Sequence, residues 1–365
     1  MKKLMALALL CALLLTGCEN VFDGSYSSVT PHPYTPARPE EGELRATNRK
    51  ELESVMKMLI YSGQEEAVIV VEGYENDQAF GDLRASVGNS LTNDPIVAYA
   101  VERIVHEKGQ SKGRPALTVQ ISYRYDASQI KSIQTIADMD AAAQAICDTL
   151  DRCEVSLVML IEEFEDVDFL QIVENYAANN PQKVMETPQI SVSITPTDGT
   201  RRVVDIRFTY LNNRESLKQM QDKVQMVFES AELYVSGDTS GRQKYAQLCA
   251  FLTERFDYQN VTSITPAYSL LCHGVGDCRA FALVYSAMCR QAGLECLTVA
   301  GTKDGNSHFW NIICDEGIYY HVDLQEDSFQ NRSDREMEDY VWDYSAYPSC
   351  GENPELFFEN IEIGA

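Results

Sequence analysis

Basic side chains are scarce in this sequence of 365 residues, which has 30 Lys and Arg residues against 55 Asp and Glu residues. Nucleic-acid binding needs clusters of basic side chains that contact the phosphates, so the composition argues against a nucleic-acid partner. We attribute the formal net charge of −25 at pH 7 to solubility at a polyanionic surface rather than to a specific partner.

The sequence has no closely paired cysteine motif and few histidines. No Cys-x-x-Cys pair occurs among the 11 cysteines, and the group of Cys272, His273 and Cys278 lacks the second spaced pair of a structural zinc site. We therefore expect no metal and no organic cofactor. Only five histidines are present, which leaves few candidates for a base that titrates near neutral pH.

A hydrophobic run long enough to span a bilayer, about 20 residues, is missing as well. The N-terminal stretch MKKLMALALLCALLLTGC has two lysines, a shorter apolar run and a small-residue exit, which is typical of a secretory signal. Its ending resembles the bacterial lipobox, in which the signal is cut before a cysteine that carries the lipid. The resemblance implies a signal peptide at residues 1–17 and an anchor, through lipidated Cys18, on the extracytoplasmic face of the cell membrane. The alternative is an ordinary secretory signal that contains Cys18.

Residues 18–45 are rich in Pro, Ser, Thr and Gly, which predicts a flexible tether. The region after it contains a predicted internal repeat. Asn93-Asp94-Pro95 matches Asn179-Asn180-Pro181 at an offset of 86 residues, and Ile121–Tyr125 matches Ile206–Tyr210 at an offset of 85. We predict an α+β repeat at 46–150 and a second at 151–236, each with a strand, a helix, two strands and a closing helix. The closing helices are expected near 129–150 and 214–231.

The stretch GVGDCRAFALVYSAMC, residues 274–289, holds the most distinctive cysteine of the chain. Asp277 is a predicted N-cap, so Cys278 becomes the first residue of a buried helix that ends near Gly293. A thiol at this position faces unpaired helix N–H groups, and the helix dipole favours its nucleophilic thiolate form. The same N–H groups can stabilise an oxyanion.

A base for this thiol is predicted in the stretch NSHFWNIICDEGIYYHVDLQED. Its pattern indicates a strand that His308 opens, a turn at 315–317, and a returning strand that Asp323 closes. We expect His308 and Asp323 to lie nearly opposite each other, where the carboxylate would orient the imidazole and stabilise its cation. His321 is a rival base, but its position in mid-strand favours a structural role.

With GDCRAFA, HFWN and YYHVDL in this order, the region resembles the transglutaminase-like superfamily, whose fold is related to that of papain-like cysteine peptidases. The turn-rich junction Ser236–Gly241 sets the boundary of a domain at 237–365, and the resemblance covers about residues 240–330 of it. The resemblance implies that a helix bearing the cysteine packs on an antiparallel sheet, and hence an α+β protein with two repeats before this domain. It implies Cys278 as nucleophile, His308 as general base and Asp323 as orienting carboxylate.

The resemblance also implies two aromatic residues at the substrate cleft. Trp310 is part of the family motif and would wall the cleft, although it could instead lie in the core, and Tyr268 is implied through a weaker match. Arg279 departs from the small residue that often follows the cysteine in the family. It would lower the pKa of the thiol, bind an acidic substrate group, or simply face solvent.

These features predict a surface-anchored thiol hydrolase or acyltransferase that acts on amide bonds of peptides or proteins through a thioester, with hydrolysis favoured over transfer to an amine. In the alternative, Cys278 is an inert thiol or is paired with Cys272, and the protein is a binding or scaffold lipoprotein whose repeats bind a cell-surface partner. A third possibility is that the repeats present the substrate to Cys278.

Overall fold

The computed structural model describes residues 44–74, 77–235, 237, 239–325 and 329–351. The predicted signal peptide and lipidated Cys18 lie outside the described residues, as does the predicted tether up to residue 43. No helix in the described part of the chain has the length and apolar character needed to cross a membrane. Of the described residues, 44–59, 66–74, 77–88 and 105–120 form one compact unit, and the others form a second.

The first sheet has four strands in the order β1-β2-β4-β3. They are β1 (Leu44–Ala46), β2 (Glu66–Val71), β3 (Val101–Ser111) and β4 (Arg114–Tyr123), accompanied by helices α1 (Arg49–Tyr61), α2 (Asp77–Thr92) and α3 (Pro95–Ala100). The short strand β1 pairs in parallel with β2, and β4 pairs with β2 in the antiparallel direction. Because β1 begins at Leu44, the first described strand includes the last two residues of the predicted tether.

The second sheet repeats this arrangement in the order β5-β6-β8-β7. Its strands are β5 (Gln134–Ile136), β6 (Ser156–Ile161), β7 (Gln189–Thr195) and β8 (Arg202–Thr209), and its helices are α4 (Ala127–Lys131), α5 (Met139–Asp151) and α6 (Phe169–Asn179). The short strand is again parallel to its neighbour, and the other pairs are antiparallel. The shared strand order is what an internal repeat requires.

One predicted helix of this region is wrong. The sequence pattern indicated a single helix near 129–150 that closes the first repeat, but the chain forms α4, β5 and α5 there. Asp126 and Asp138 each accept hydrogen bonds from the start of a separate helix, which interrupts the run. Helix α5 then packs in the core of the second sheet, where Ile146 and Leu150 belong to the cluster of Met159. The second repeat therefore begins before residue 151.

The long helix α7 (Arg214–Tyr234) is followed by a third group of helices and strands, which contains the predicted catalytic residues. Its helices are α8 (Gly241–Thr253), α9 (Pro266–His273) and α10 (Cys278–Gln291), and two short strands, β9 (Asp257–Tyr258) and β10 (Val275–Gly276), pair in parallel. Residues 280–289 of α10 are all buried. A helix that is apolar all round belongs in the centre of a core, and α10 packs against both helices and sheet.

The sheet beside α10 is antiparallel, in the order β13-β12-β11-β14. Its strands are β11 (Cys296–Lys303), β12 (Asn306–Asp315), β13 (Ile318–Val322) and β14 (Tyr340–Trp342). Gly301 on β11 is required here, because a methyl group at that position would overlap the Val341 carbonyl and the Trp310 ring. The predicted α+β class, with a helix bearing the cysteine on an antiparallel sheet, is confirmed.

Candidate active site

Cys278 is the first residue of α10, and Asp277 is its N-cap. The Asp277 carboxylate accepts a hydrogen bond of 2.9 Å from the backbone N–H of Ala280. The first N–H groups of a helix have no carbonyl partner within it, so those of Cys278 and Arg279 have no partner inside α10, next to the partly buried thiol. A Cβ at Gly276 would press on the side chains of Leu270 and Ala280, so this close turn before the cysteine favours glycine.

His308 and Asp323 are joined by a hydrogen bond of 2.8 Å between Nε2 and Oδ2. His308 lies in β12, and Asp323 directly follows β13. Both side chains are almost completely buried. The hairpin pairs Asn311 with Val322, so the carboxylate reaches the imidazole diagonally rather than from the directly opposite position. The reason is a tight turn of two residues with positive φ, Glu316 and Gly317, which sets a register slightly different from the predicted one.

The Asp323 carboxylate accepts three further hydrogen bonds. Its Oδ2 accepts from the Tyr340 hydroxyl at 2.8 Å and from Lys303 Nζ at 3.3 Å, and its Oδ1 accepts from the backbone N–H of Gln325 at 3.0 Å. Burial raises the pKa of Asp323, but the hydrogen bonds, above all that from His308, outweigh it and lower the pKa to about 2. The carboxylate is therefore ionised at any physiological pH.

The pKa of His308 shows the balance of the same forces. Burial lowers it, but the hydrogen bond with Asp323 and the neighbouring Cys278 side chain outweigh burial and raise the pKa to about 9. Because Nε2 is occupied by Asp323, Nδ1 is the nitrogen that remains for the thiol. The three predicted residues thus meet in one cluster whose imidazole is cationic at neutral pH, while their catalytic roles remain predictions.

Residues 229–324, which include all three of these side chains, match the family model of the transglutaminase-like superfamily. The chain contains a transglutaminase-like superfamily domain. The resemblance stated from the sequence motifs is confirmed.

Several solved structures are also similar. A TGase matches at 12% identity over 60% of this chain and 63% of its own, with a TM-score of 0.26. A candidate cysteine protease from Cytophaga hutchinsonii matches at 13% identity over 42% of this chain and 70% of its own, also with a TM-score of 0.26. Calcium-bound LapG from Legionella pneumophila matches at 13% identity over 40% of this chain and 86% of its own, with a TM-score of 0.26. This chain thus spans less than two thirds of the TGase, and a search of curated proteins finds no match.

Trp310, predicted at the substrate cleft of the transglutaminase-like domain, is completely buried. Its ring stacks on that of His308, with centroids 6.0 Å apart and an angle of 18° between the planes. Its indole Nε1–H donates to Nδ1 of His321 over 2.9 Å, and His321 Nε2 lies 2.9 Å from Asp334 Oδ1. Trp310 therefore supports His308 from inside the core, and His321 is held by Trp310 and Asp334.

His321, Asp334 and Cys350 form a group, within the described ranges, whose ligand atoms lie within 4.8 Å of one another. The indole N–H can only donate, so Nδ1 of His321 must accept and its Nε2 must carry the proton that Asp334 accepts. A metal ion would need the lone pair of that same Nε2. Burial also raises the pKa of the Cys350 thiol to about 12, which disfavours the thiolate ligand. These residues fit a hydrogen-bonded relay better than a metal site.

The other two predicted cleft residues lie in different places. Arg279 is exposed at the start of α10, with its guanidinium carbon 5.9 Å from the centroid of the Phe309 ring. The contacts of Tyr268 are with Lys223 and His273, and it is not among the residues that line the small pocket beside Cys278. The structure therefore does not bring Tyr268 to the thiol. Cys272 and Cys278 are both free thiols.

Sequence reasoning missed Gln325 as well as the Tyr340 and Lys303 contacts. Gln325 lines the small pocket together with Cys278 and Asp323, and its amide Nε2 is buried without a hydrogen-bond partner. Burial raises the pKa of Tyr258, and the nearby Gln325 side chain partly offsets this rise. The Gln325 amide and the Tyr258 hydroxyl do not, however, meet the geometry of a hydrogen bond. A buried donor without an acceptor is costly and is concentrated at functional sites. The position of Gln325 two residues after Asp323 was the available signal.

Proposed function

We propose that the protein is a thiol hydrolase or acyltransferase that acts on amide bonds of peptides or proteins. The observation that carries this proposal is the Asp323–His308–Cys278 cluster at the N-terminus of α10, in which the pKa of His308 is raised to about 9. A raised imidazole pKa keeps a proton available for a leaving amine at neutral pH, and the cation stabilises the neighbouring thiolate.

In the proposed reaction the Cys278 thiolate attacks the carbonyl carbon of the amide. The carbonyl oxygen becomes an oxyanion, which we assign to the backbone N–H of Cys278 and to Nε2 of Gln325, the buried amide without a partner. The intermediate collapses as His308 donates its Nδ1 proton to the departing amine, which leaves a thioester on Sγ. Neutral His308 then takes a proton from water, and the hydroxide attacks the thioester carbonyl. The acid is released, and the Cys278 thiolate and the His308 imidazolium are regenerated.

Two further parts of the proposal concern the acceptor and the location. An amine in place of water would give a new amide, and the resemblance to simple bacterial members of the superfamily favours water. We also propose that lipidated Cys18 holds the domain at the extracytoplasmic face of the cell membrane, where peptides and proteins of the cell surface are the accessible substrates. These expectations come from the N-terminal sequence pattern.

The test compares the chain from residue 19 onward with its Cys278→Ala variant. Each is incubated with a heat-denatured protein mixture and a biotinylated alkylamine, and new termini and biotinylated peptides are identified by mass spectrometry. We expect new termini that depend on Cys278 and outnumber the biotinylated products. If the two proteins give the same peptides, and Cys278 reacts with iodoacetamide no faster than the other thiols, the scaffold alternative replaces the enzyme.

A further inference from the structure

A groove of about 670 Å³ lies between the second repeat and the transglutaminase-like domain. The repeat contributes the end of α6, the start of β7 and the end of β8, and the catalytic side contributes the loop 262–266 and Arg279. Pockets of this volume hold ligands the size of a short peptide. We call it the repeat groove, and its position is of interest because Arg279 is the neighbour of Cys278 in the chain.

Arg279 occupies an unfavourable position for the stability of α10. A positive charge in the first turn of a helix opposes the helix dipole. Among the described residues, no carboxylate lies within ion-pair distance of Arg279, although the chain has a large excess of acidic residues. The side chain contacts the Phe309 ring and is otherwise exposed. Arg279 therefore lowers helix stability, lacks an acidic partner in the described part of the chain and follows Cys278 directly in the chain. Binding of an anionic group of the substrate would explain why a cation lies there.

The other charged side chains of the repeat groove, Glu174 and Glu186, do not bind an anion. The Glu186 carboxylate is already held by the backbone N–H of Leu211 and by the backbone N–H and side-chain amide of Asn212, the last two at 3.1 and 2.7 Å. Glu174 has the opposite sign. Most of the other lining side chains are neutral groups that donate and accept hydrogen bonds: Asn175, Thr187, Gln189, Thr209, Thr262 and Ser263. Such a surface suits the amide groups of a polypeptide chain.

Strand β7 reaches this surface at its first residue, Gln189. It lies at the edge of its sheet and pairs with β8 on one side, from Gln189 opposite Thr209 onward. Both residues of this first pair line the repeat groove. The free edge of a strand is a common binding site for an extended peptide, because main-chain hydrogen bonds supply affinity without regard to sequence.

We propose that the repeat groove binds the polypeptide substrate and that Arg279 pairs with a substrate carboxylate next to the scissile amide. This inference rests on the proposed function and makes the second repeat a substrate-recognition element. The carboxylate would come from an Asp or Glu side chain within the peptide or from a free C-terminus.

Peptide retention on the Cys278→Ala chain, which binds without cleaving, tests the proposal. Three pools of octapeptides share randomised flanks and differ in the rest: central Glu with an amidated C-terminus, central Gln with an amidated C-terminus, and central Gln with a free carboxylate. We expect immobilised protein to retain a carboxylate pool about fivefold better than the neutral pool at low salt, with the preference reduced in high salt. The pool that is retained identifies the source of the carboxylate.

Two substitutions in the Cys278→Ala background serve as a matched pair. Arg279→Gln is expected to abolish the carboxylate preference, whereas Glu174→Gln, in the same groove, leaves it intact or strengthens it; thermal unfolding checks that both variants are folded. Equal retention of the pools, or a preference that survives Arg279→Gln, would overturn the proposal. If the preference is found but wild type cleaves nothing, the groove stands and the hydrolase proposal fails. If wild type cleaves peptides but the pools are retained equally, the hydrolase proposal stands and the groove proposal fails.

Discussion

The indole of Trp310 donates its Nε1–H to Nδ1 of His321 over 2.9 Å. This single bond fixes the tautomer of His321, because an indole cannot accept and the other imidazole nitrogen must then donate to Asp334. The bond also fixes the rotation of the Trp310 ring, and one face of this ring stacks on the imidazole of His308. A chain of four side chains, of which Asp334 is partly exposed and the other three are buried, therefore leads from Asp334 to the candidate base.

We predict that His321 is a positioning residue. His321→Ala leaves the Trp310 N–H buried without an acceptor, which costs about 1–3 kcal/mol of unfolding free energy. With the ring free to tilt, the His308–Asp323 bond weakens and the pKa of His308 falls, so the alkaline limb of the pH–rate profile moves to lower pH. His321→Asn keeps an oxygen near the position of Nδ1 and should restore most of the profile. A destabilised His321→Ala variant with an unchanged profile would contradict this role.

The pKa of His308 predicts the alkaline limit of activity. The proposed mechanism needs the imidazolium to protonate the leaving amine, and the hydrogen bond with Asp323 together with the neighbouring Cys278 side chain raises its pKa to about 9. Hydrolysis should therefore fall above about pH 9. Asp323→Asn, which removes the negative charge at nearly constant shape, should move this limb downward and reduce kcat by about 10²-fold or more. A limb that stays in place in Asp323→Asn would show that another group titrates there.

The same pair predicts how stability depends on pH. The pKa of His308 is raised on folding from 6.5 to about 9, so its contribution is complete below about pH 6.5 and is lost as the pH rises towards 9. The pKa of Asp323 is lowered from 3.8 to about 2, so its contribution is complete above about pH 4 and is lost as the pH falls towards 2. The difference in unfolding free energy between wild type and Asp323→Asn, measured in urea, should be largest between about pH 4 and 6.5. A difference that does not change with pH would refute the linkage.

Tyr340 provides a milder test of the carboxylate. Tyr340→Phe removes the hydroxyl that donates to Asp323 Oδ2 over 2.8 Å, which raises the pKa of Asp323. Three other donors remain, and the pKa starts from about 2, so Asp323 stays ionised at pH 7. We expect kcat at pH 7 to fall less than tenfold and the acid limb of the profile to shift upward. A loss as large as that in Asp323→Asn would mean that Tyr340 acts on the substrate directly.

How much of the site could be predicted depended on the range of the interactions. The start of α10 was predicted to the residue because its cause is local, an Asp277 cap followed by a buried helix. The meeting of His308 and Asp323 followed from one hairpin, and the error in register came from the exact turn, which alternation alone does not define. Tyr340 could not be placed, because it reaches Asp323 only when β14 joins the sheet beside β11.

Burial decided the remaining discrepancies. Trp310 alternates with His308 on one strand and was expected to wall a cleft or to lie in the core; the rings of Tyr340 and Trp342 pack against it and bury it in the core. The single helix expected near 129–150 failed because Asp138 caps a second helix, a local signal that the apolar periodicity concealed. Periodicity predicts which face of an element is buried, whereas the element that covers this face depends on contacts distant in sequence.

Gln325 gives the most specific test of the proposed oxyanion site. Its amide Nε2 is buried beside Cys278 and has no hydrogen-bond partner. An oxyanion donor acts only when the carbonyl oxygen gains charge, so Gln325→Ala should reduce kcat for amide hydrolysis by about 10²- to 10³-fold. Alkylation of Cys278 by iodoacetamide forms no oxyanion, so its rate should be nearly unchanged in the same variant. Gln325→Glu offers a carboxylate of similar size without the amide donor and should be as inactive as Gln325→Ala. A parallel loss of alkylation and hydrolysis would instead mean that Gln325 supports the thiolate, and hydrolysis at the wild-type rate would remove it from the site.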